Sequence, residues 1–116
     1  MNYNNLKVWQ KADDLVFEIY KITKKFPRDE LYGLTSQLRR ASLSIPTNIV
    51  EGYSKKGDKE LARFINISLG SLAEVEYLLD FSRRLGYLHE EDYYRIDTLR
   101  DHVGKLLWNF YKKLER

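Results

Sequence analysis

The sequence predicts an all-α fold, an antiparallel up-down four-helix bundle, and three observations lead there. Apolar residues recur at alternating spacings of four and three over four separate stretches, the period of a helix face turned toward a core. Short connections marked by proline or glycine join those stretches, which suits antiparallel neighbours. No stretch alternates apolar and polar residues at period two, and no repeat or low-complexity tract breaks the pattern. Residues 1–116 are therefore read as one bundle domain, long enough to bury roughly 65% of its unfolded surface without disulfides or metals.

The first helix is predicted over about Leu6 to Lys25, with Val8, Ala12, Leu15, Ile19, Ile22 and Phe26 as its seam and Trp9, Val16 and Tyr20 widening it. Pro27 ends it, because the residue before a proline avoids the helical region. The second helix, Leu34 to Glu51, carries Leu34, Leu38, Ala41, Ile45 and Ile49, with Gly52 as a plausible stop. Its other positions are mostly small and hydroxylated, and Pro46 lies in its interior at a cost of about 3 kcal/mol in an isolated helix. Ser42, Ser44, Ser68, Gly70 and Ser71 would let the second and third helices approach closely, with hydroxyls bonding backbone carbonyls, including those freed by Pro46.

The third helix is predicted over Lys59 to Leu85, N-capped by Asp58, with a seam of Leu61, Ile65, Ser68, Leu72, Val75, Leu79 and Ser82. A second apolar line, Phe64, Ile67, Tyr77, Leu78, Phe81 and Leu85, predicts burial on more than one side. Gly86 fits a stop. The fourth helix begins near His89 with three acids in its first turn and continues through Ile96, Leu99, Val103, Leu106, Phe110 and Leu114.

Little in this chain resembles catalytic equipment. There are no cysteines, which removes disulfides and thiolate zinc sites and agrees with a reducing compartment. The N-terminal residues carry no hydrophobic signal core and no run approaches the roughly 20 apolar residues of a membrane span, so a cytoplasmic protein is expected. His89 reads as a capping or surface residue, and His102 has no second histidine four residues away and no Glu-x-x-His arrangement, so neither metal nor cofactor is expected. The six glycines form no phosphate-binding fingerprint, Glu74 and Glu76 point in different directions, and no serine has a base placed beside it. A non-enzymatic protein is the expectation.

Charge is more informative once located. The chain has 20 basic and 17 acidic residues, a net +3. Between residues 39 and 63, Arg39, Arg40, Lys55, Lys56, Lys59 and Arg63 face Glu51, Asp58 and Glu60, an excess that equals that of the whole chain. Lys55, Lys56, Lys59 and Arg63 sit on one connection and the first turns of the third helix, where phosphates could be met. Arg39 and Arg40 point about 100° apart, so one is expected to be buried against a carboxylate such as Glu74 or Glu51 and the other exposed. Arg40 is the weaker nucleic-acid candidate.

Several words of the sequence, in this order and spacing, resemble one family. They are Leu6-Lys7-Val8-Trp9-Gln10-Lys11-Ala12, Tyr32-Gly33-Leu34-Thr35-Ser36-Gln37-Leu38-Arg39-Arg40-Ala41, Ser44-Ile45-Pro46-Thr47-Asn48-Ile49, Glu51-Gly52, Glu60, Arg63-Phe64 and Gly70-Ser71-Leu72-Ala73-Glu74-Val75-Glu76. The chain resembles, over nearly its whole length, the 23S rRNA intervening-sequence proteins, also called S23 ribosomal proteins. Arg39, Pro46, Asn48, Glu51 and Glu74 belong to that motif set as structural residues. The resemblance implies a four-helix bundle assembling into a homopentamer, encoded in some bacteria within an insertion in a 23S rRNA gene. The family is similar to the accessory proteins of diversity-generating retroelements, basic pentameric bundles that associate with a reverse transcriptase and nucleic acid. It implies no defined reaction, and its partner class is rRNA or an RNA-handling protein. The function expected is RNA binding through basic patches repeated around a ring; the alternative is a protein-interaction scaffold that does not touch nucleic acid.

Overall fold

The computed structural model describes residues 3–115. Four helices carry the chain: α1 (Lys7–Thr23), α2 (Leu34–Ser54), α3 (Asp58–Arg84) and α4 (Glu90–Leu114), with short 3-10 turns at Tyr3–Asn5 and Arg28–Glu30. Among the described residues there is no strand. Each helix packs on the two beside it, α1 against α2 and α4, and α3 against α2 and α4, which makes an antiparallel four-helix bundle 43 × 24 × 21 Å. The start of α1, the α2–α3 connection and the end of α4 consequently lie at one end of the molecule.

The seams read from the sequence form the core. Leu15, Ile19, Leu38, Ile45, Ile49, Ile65, Val75, Leu79, Ile96 and Val103 are fully buried. Burying one such side chain contributes roughly 1.5–3 kcal/mol, so two or three of them on α2 outweigh the cost of Pro46, and α2 is helical straight through it. On α4, Leu107 joins Ile96 and Val103 as fully buried, with Leu106 only partly covered. The 4-3 alternation assigned the adjacent leucine because both neighbours are apolar.

Glycines correct two helix ends. Gly52 is not a stop: α2 continues to Ser54, and Gly52 is buried where a Cβ would come 2.7 Å from Leu61 Cδ1 and 3.1 Å from Phe64 Cβ. Its lack of a side chain lets α2 and α3 converge at their connection. Asp58 does not cap α3 either; it is the first helical residue, and Gly57, at φ +89°, takes the N-cap position. Gly86, at φ +84°, does close α3 as expected. Its N–H donates to the Arg83 carbonyl and that of Tyr87 to the Ser82 carbonyl, the paired bonds of a Schellman turn.

The fully buried serine hydroxyls bond backbone carbonyls within the bundle. Ser68 Oγ donates across the interface to the Ile45 carbonyl (2.8 Å), and Ser82 Oγ to that of Leu78 (2.7 Å). Thr47 and Asn48 side chains reach the carbonyls of Leu43 and Ser44. Among the described residues, Thr47, Asn48 and Ser68 serve the carbonyls of Leu43, Ser44 and Ile45, the three that follow the one Pro46 frees at Ser42, rather than that one. Burial of α3 on several sides is met in part: Phe64 and Leu78 are buried, whereas Ile67, Tyr77 and Leu85 stay exposed in the single chain.

Candidate nucleic-acid interface

Lys55 and Lys56 lie in the α2–α3 connection, Lys59 and Arg63 in the first two turns of α3, and all four are exposed. Their convergence shows in Glu60, whose carboxyl is held below the usual range first by the Arg63 hydrogen bond and then, more weakly, by the charges of Lys55 and Lys59. Arg63 donates to Glu60 at 3.2 and 3.3 Å. Lys55, Lys56 and Lys59 form no ion pair with any carboxylate among the described residues, unlike Arg83, Arg84, Arg95 and Arg100. Three cations are therefore left facing solvent at one corner.

Phe64 organises that corner, a role that sequence reasoning missed. The centre of its buried ring lies 4.6 Å from the Arg63 guanidinium carbon and 5.8 Å from Lys55 Nζ, so two cations share one aromatic ring. The adjacency of Arg63 and Phe64 was the available signal, but i and i+1 side chains on a helix diverge, so adjacency alone does not place the cation over the ring. The end of α4 extends the corner. Tyr111 and Leu114 share a surface groove with Lys59, Arg63 and Asn66, and Trp108 stacks on Tyr111 with Lys112 Nζ 5.8 Å from the Trp108 ring. Asp58, Glu60 and Glu115 line the same groove, so its field is mixed rather than uniformly positive.

Arg40 does not join this cluster. It stands fifteen residues before Lys55, the residue that follows α2, about 22 Å along the helix axis. It lines a separate groove between α2 and α3 with Tyr32, Ser36, Gln37, Ser44, Ser71 and Glu74. The motif residues around it stitch helices together. Ser44 Oγ and Ser71 Oγ are 2.8 Å apart, and Asn48 Nδ2 donates to Ser44 Oγ at 2.9 Å.

Arg39 corrects an expectation. It meets neither Glu74 nor Glu51, both of which are exposed; instead Nε donates to Thr23 Oγ1 at 2.8 Å, Nη2 to the Tyr20 carbonyl at 3.4 Å, and the guanidinium lies 4.8 Å from the Tyr20 ring centre. Its partners are neutral groups of α1, which pin the C-terminal end of that helix to α2. Glu51 supplies a backbone acceptor to Ser54 Oγ at 2.6 Å.

Among the described residues, no group of three His, Cys, Asp or Glu side chains could hold a metal ion, and no helix is long and apolar enough to cross a membrane. His89 occupies the N-cap position of α4 without a side-chain cap bond, and His102 is partly exposed on that helix. Fold and surface together define an antiparallel four-helix bundle carrying a cationic corner and a polar interhelical groove. The family model of the 23S rRNA-intervening sequence proteins matches residues 4–109, and the chain belongs to that family. It is similar to a protein of unknown function from the S23 ribosomal protein family of Bacteroides thetaiotaomicron VPI-5482, whose crystal structure matches with a TM-score of 0.83 at 25% identity over 90% of this chain and 95% of that one. No curated protein matches the chain.

Proposed function

We propose that this protein is a non-enzymatic RNA-binding bundle that assembles into a ring and meets structured RNA, rRNA foremost, through the corner formed by Lys55, Lys56, Lys59 and Arg63. The observation that carries the reading is the placing of three unpaired lysines with Arg63 on one exposed corner, whereas Arg83, Arg84, Arg95 and Arg100 are each paired with carboxylates. Cations without partners release condensed counterions when they meet phosphates, whereas paired ones first have to give up a carboxylate. Five copies of the net charge give about +15, which converts a modest patch into a polyvalent one.

Titration of the assembled protein with a 23S rRNA fragment at several salt concentrations tests this. The logarithm of affinity should fall linearly with the logarithm of salt concentration, with a slope set by the number of phosphates met. Reversing charge at two positions, Lys55→Glu with Lys56→Glu, should weaken binding by about tenfold or more near 0.1 M salt and flatten that slope. A wild-type affinity indifferent to salt, or a double variant that binds as the parent does, would overturn the proposal.

A protein-interaction scaffold is the second reading, and the exposed aromatic residues favour it. Phe17 and Tyr94 are 62% and 65% exposed on the α1 and α4 side of the bundle, away from the cationic corner. Retention of the cellular partners by the Lys55 and Lys56 charge-reversal variant would select this reading over the first.

A further inference from the structure

The groove between α2 and α3 holds a set of polar groups with no work to do inside the chain. Its walls are Tyr32, Ser36, Gln37 and Arg40 from the start of α2, and Ser71 and Glu74 from α3; it encloses about 550 Å³. Ligand sites commonly fall between roughly 300 and 1,000 Å³, so one nucleotide fits. Tyr32 is 93% exposed, its ring lying on no neighbour that would justify an aromatic there. Arg40 and Glu74 line the same groove with opposite charge, yet neither forms an ion pair among the described residues. Where the groove narrows, the Ser44–Ser71 contact at 2.8 Å holds the helices together, so the walls are fixed by packing rather than by a ligand.

Arg40 alone would suit any phosphate. Glu74 changes the selection, because a carboxylate repels phosphate and sulfate while accepting from N–H groups. A ligand for this set must therefore offer adjacent donors, a separate acceptor edge and a flat face. Unpaired nucleobases have these features, and their recognition in RNA characteristically uses aromatic stacking with hydrogen bonds to the Watson–Crick and Hoogsteen edges. Guanine is the base that places two donors, N1–H and the N2 amino group, side by side for one carboxylate, while its O6 and N7 edge suits an arginine. Adenine and cytosine offer a single amino group there, and uracil a single imide N–H.

We infer that the α2–α3 groove is a subsite for an unpaired guanosine, with Glu74 accepting from its N1–H and N2 amino group, Arg40 donating to O6 and N7, and Tyr32 stacking on the ring. The inference rests on the RNA-binding reading and deepens it. The cationic corner supplies affinity without sequence preference, and the groove, about 22 Å away along α2, supplies base choice. An extended single strand covers that distance in a few nucleotides.

Binding of the assembled protein to two unstructured RNA strands tests it, one of uridines alone and one with a single central guanosine, alongside 5′-GMP and 5′-AMP as mononucleotide probes. The strand with guanosine should bind about tenfold more tightly, and 5′-GMP in preference to 5′-AMP. Glu74→Gln should abolish both preferences while leaving the all-uridine strand and its salt slope unchanged; Tyr32→Ala, at a solvent-exposed position, should reduce them without loss of folding. Lys55→Glu with Lys56→Glu should weaken both strands alike and preserve the ratio. Equal affinity for the two strands with the salt slope intact would overturn the groove assignment and leave the corner standing. Absence of a salt slope would overturn the corner reading, and with it the division of labour inferred here. If Glu74→Gln altered the particle mass instead of the base preference, the groove would be a contact between copies and the inference would fall.

Discussion

Two glycines separate packing from propensity at the scale of single residues. Gly70 lies on the outer side of α3 with nothing within 4 Å of where a Cβ would stand, whereas Gly52 is closed in by Leu61 and Phe64. Both are in helices, so alanine gains up to about 1 kcal/mol of helix propensity at each. At Gly70 nothing opposes that gain, and Gly70→Ala should raise the urea midpoint. At Gly52 the new methyl group must push aside the Phe64 Cβ as well as the flexible tip of Leu61, a cost of about 1–3 kcal/mol that exceeds the gain. Gly52→Ala should lower the midpoint, and because Phe64 carries Lys55 and Arg63, it should also weaken RNA binding. Ser68 offers a third test. Removing its hydroxyl leaves the Ile45 carbonyl without a side-chain donor in a fully buried site, so Ser68→Ala should cost about 1–2 kcal/mol in the same measurement. Sequence reading found Ser68 as a close-packing position but could not see that its hydroxyl serves the residue before Pro46. For Arg39 it expected a carboxylate partner, because charge is visible in a sequence while a threonine hydroxyl and a ring face brought in from another helix are not.

Between elements, the α1–α4 seam carries a pH-dependent tie. Arg95 on α4 bonds Glu18 on α1 as well as Asp92 on its own helix, and Lys21 lies 3.5 Å from Glu18. The Arg95 hydrogen bond, followed by the Arg95 and Lys21 charges, holds the Glu18 carboxyl below the ordinary glutamate range despite the opposing effect of partial burial. A carboxyl whose folded pKa is depressed stabilises the fold above its unfolded value, near 4.3, and loses that contribution as pH falls through the folded value. Glu18→Gln should therefore be less stable than the parent at pH 7, by about 0.5 kcal/mol given the exposure of Arg95, with the gap narrowing toward pH 3. Urea melts at the two pH values decide it; a gap that widens in acid would sink the assignment. Helix number, order and seams were legible in the sequence because heptad spacing survives any tertiary detail. Two details were less so: the end of α2 past Gly52 and the choice of Leu107 over Leu106 are settled by how closely neighbouring helices pack, which no local pattern encodes.

For the whole molecule, the exposed apolar side chains are the unresolved account of a single chain. Leu31, Leu43, Ile67, Tyr77 and Leu85 are between 41% and 59% exposed. The proposed ring of five 13.9 kDa chains would sediment as a particle of about 70 kDa; a particle of one chain's mass would remove the polyvalence on which the charge argument depends. The candidate corner was legible as a cluster of basic letters within one short stretch, Lys55 to Arg63. Phe64 beneath it, Trp108 and Tyr111 beside it and the groove around Arg40 were not legible, since each joins residues from different helices. The antiparallel order has one more consequence. The last turn of α4 lies beside the lysine corner and the first turn of α1 lies at the same end of the bundle, so a flexible segment joined at either would be tethered near it at high effective concentration. An acidic extension would then act as a built-in competitor for the site and a basic one as an extra arm, and measured affinities would report the tether as much as the bundle.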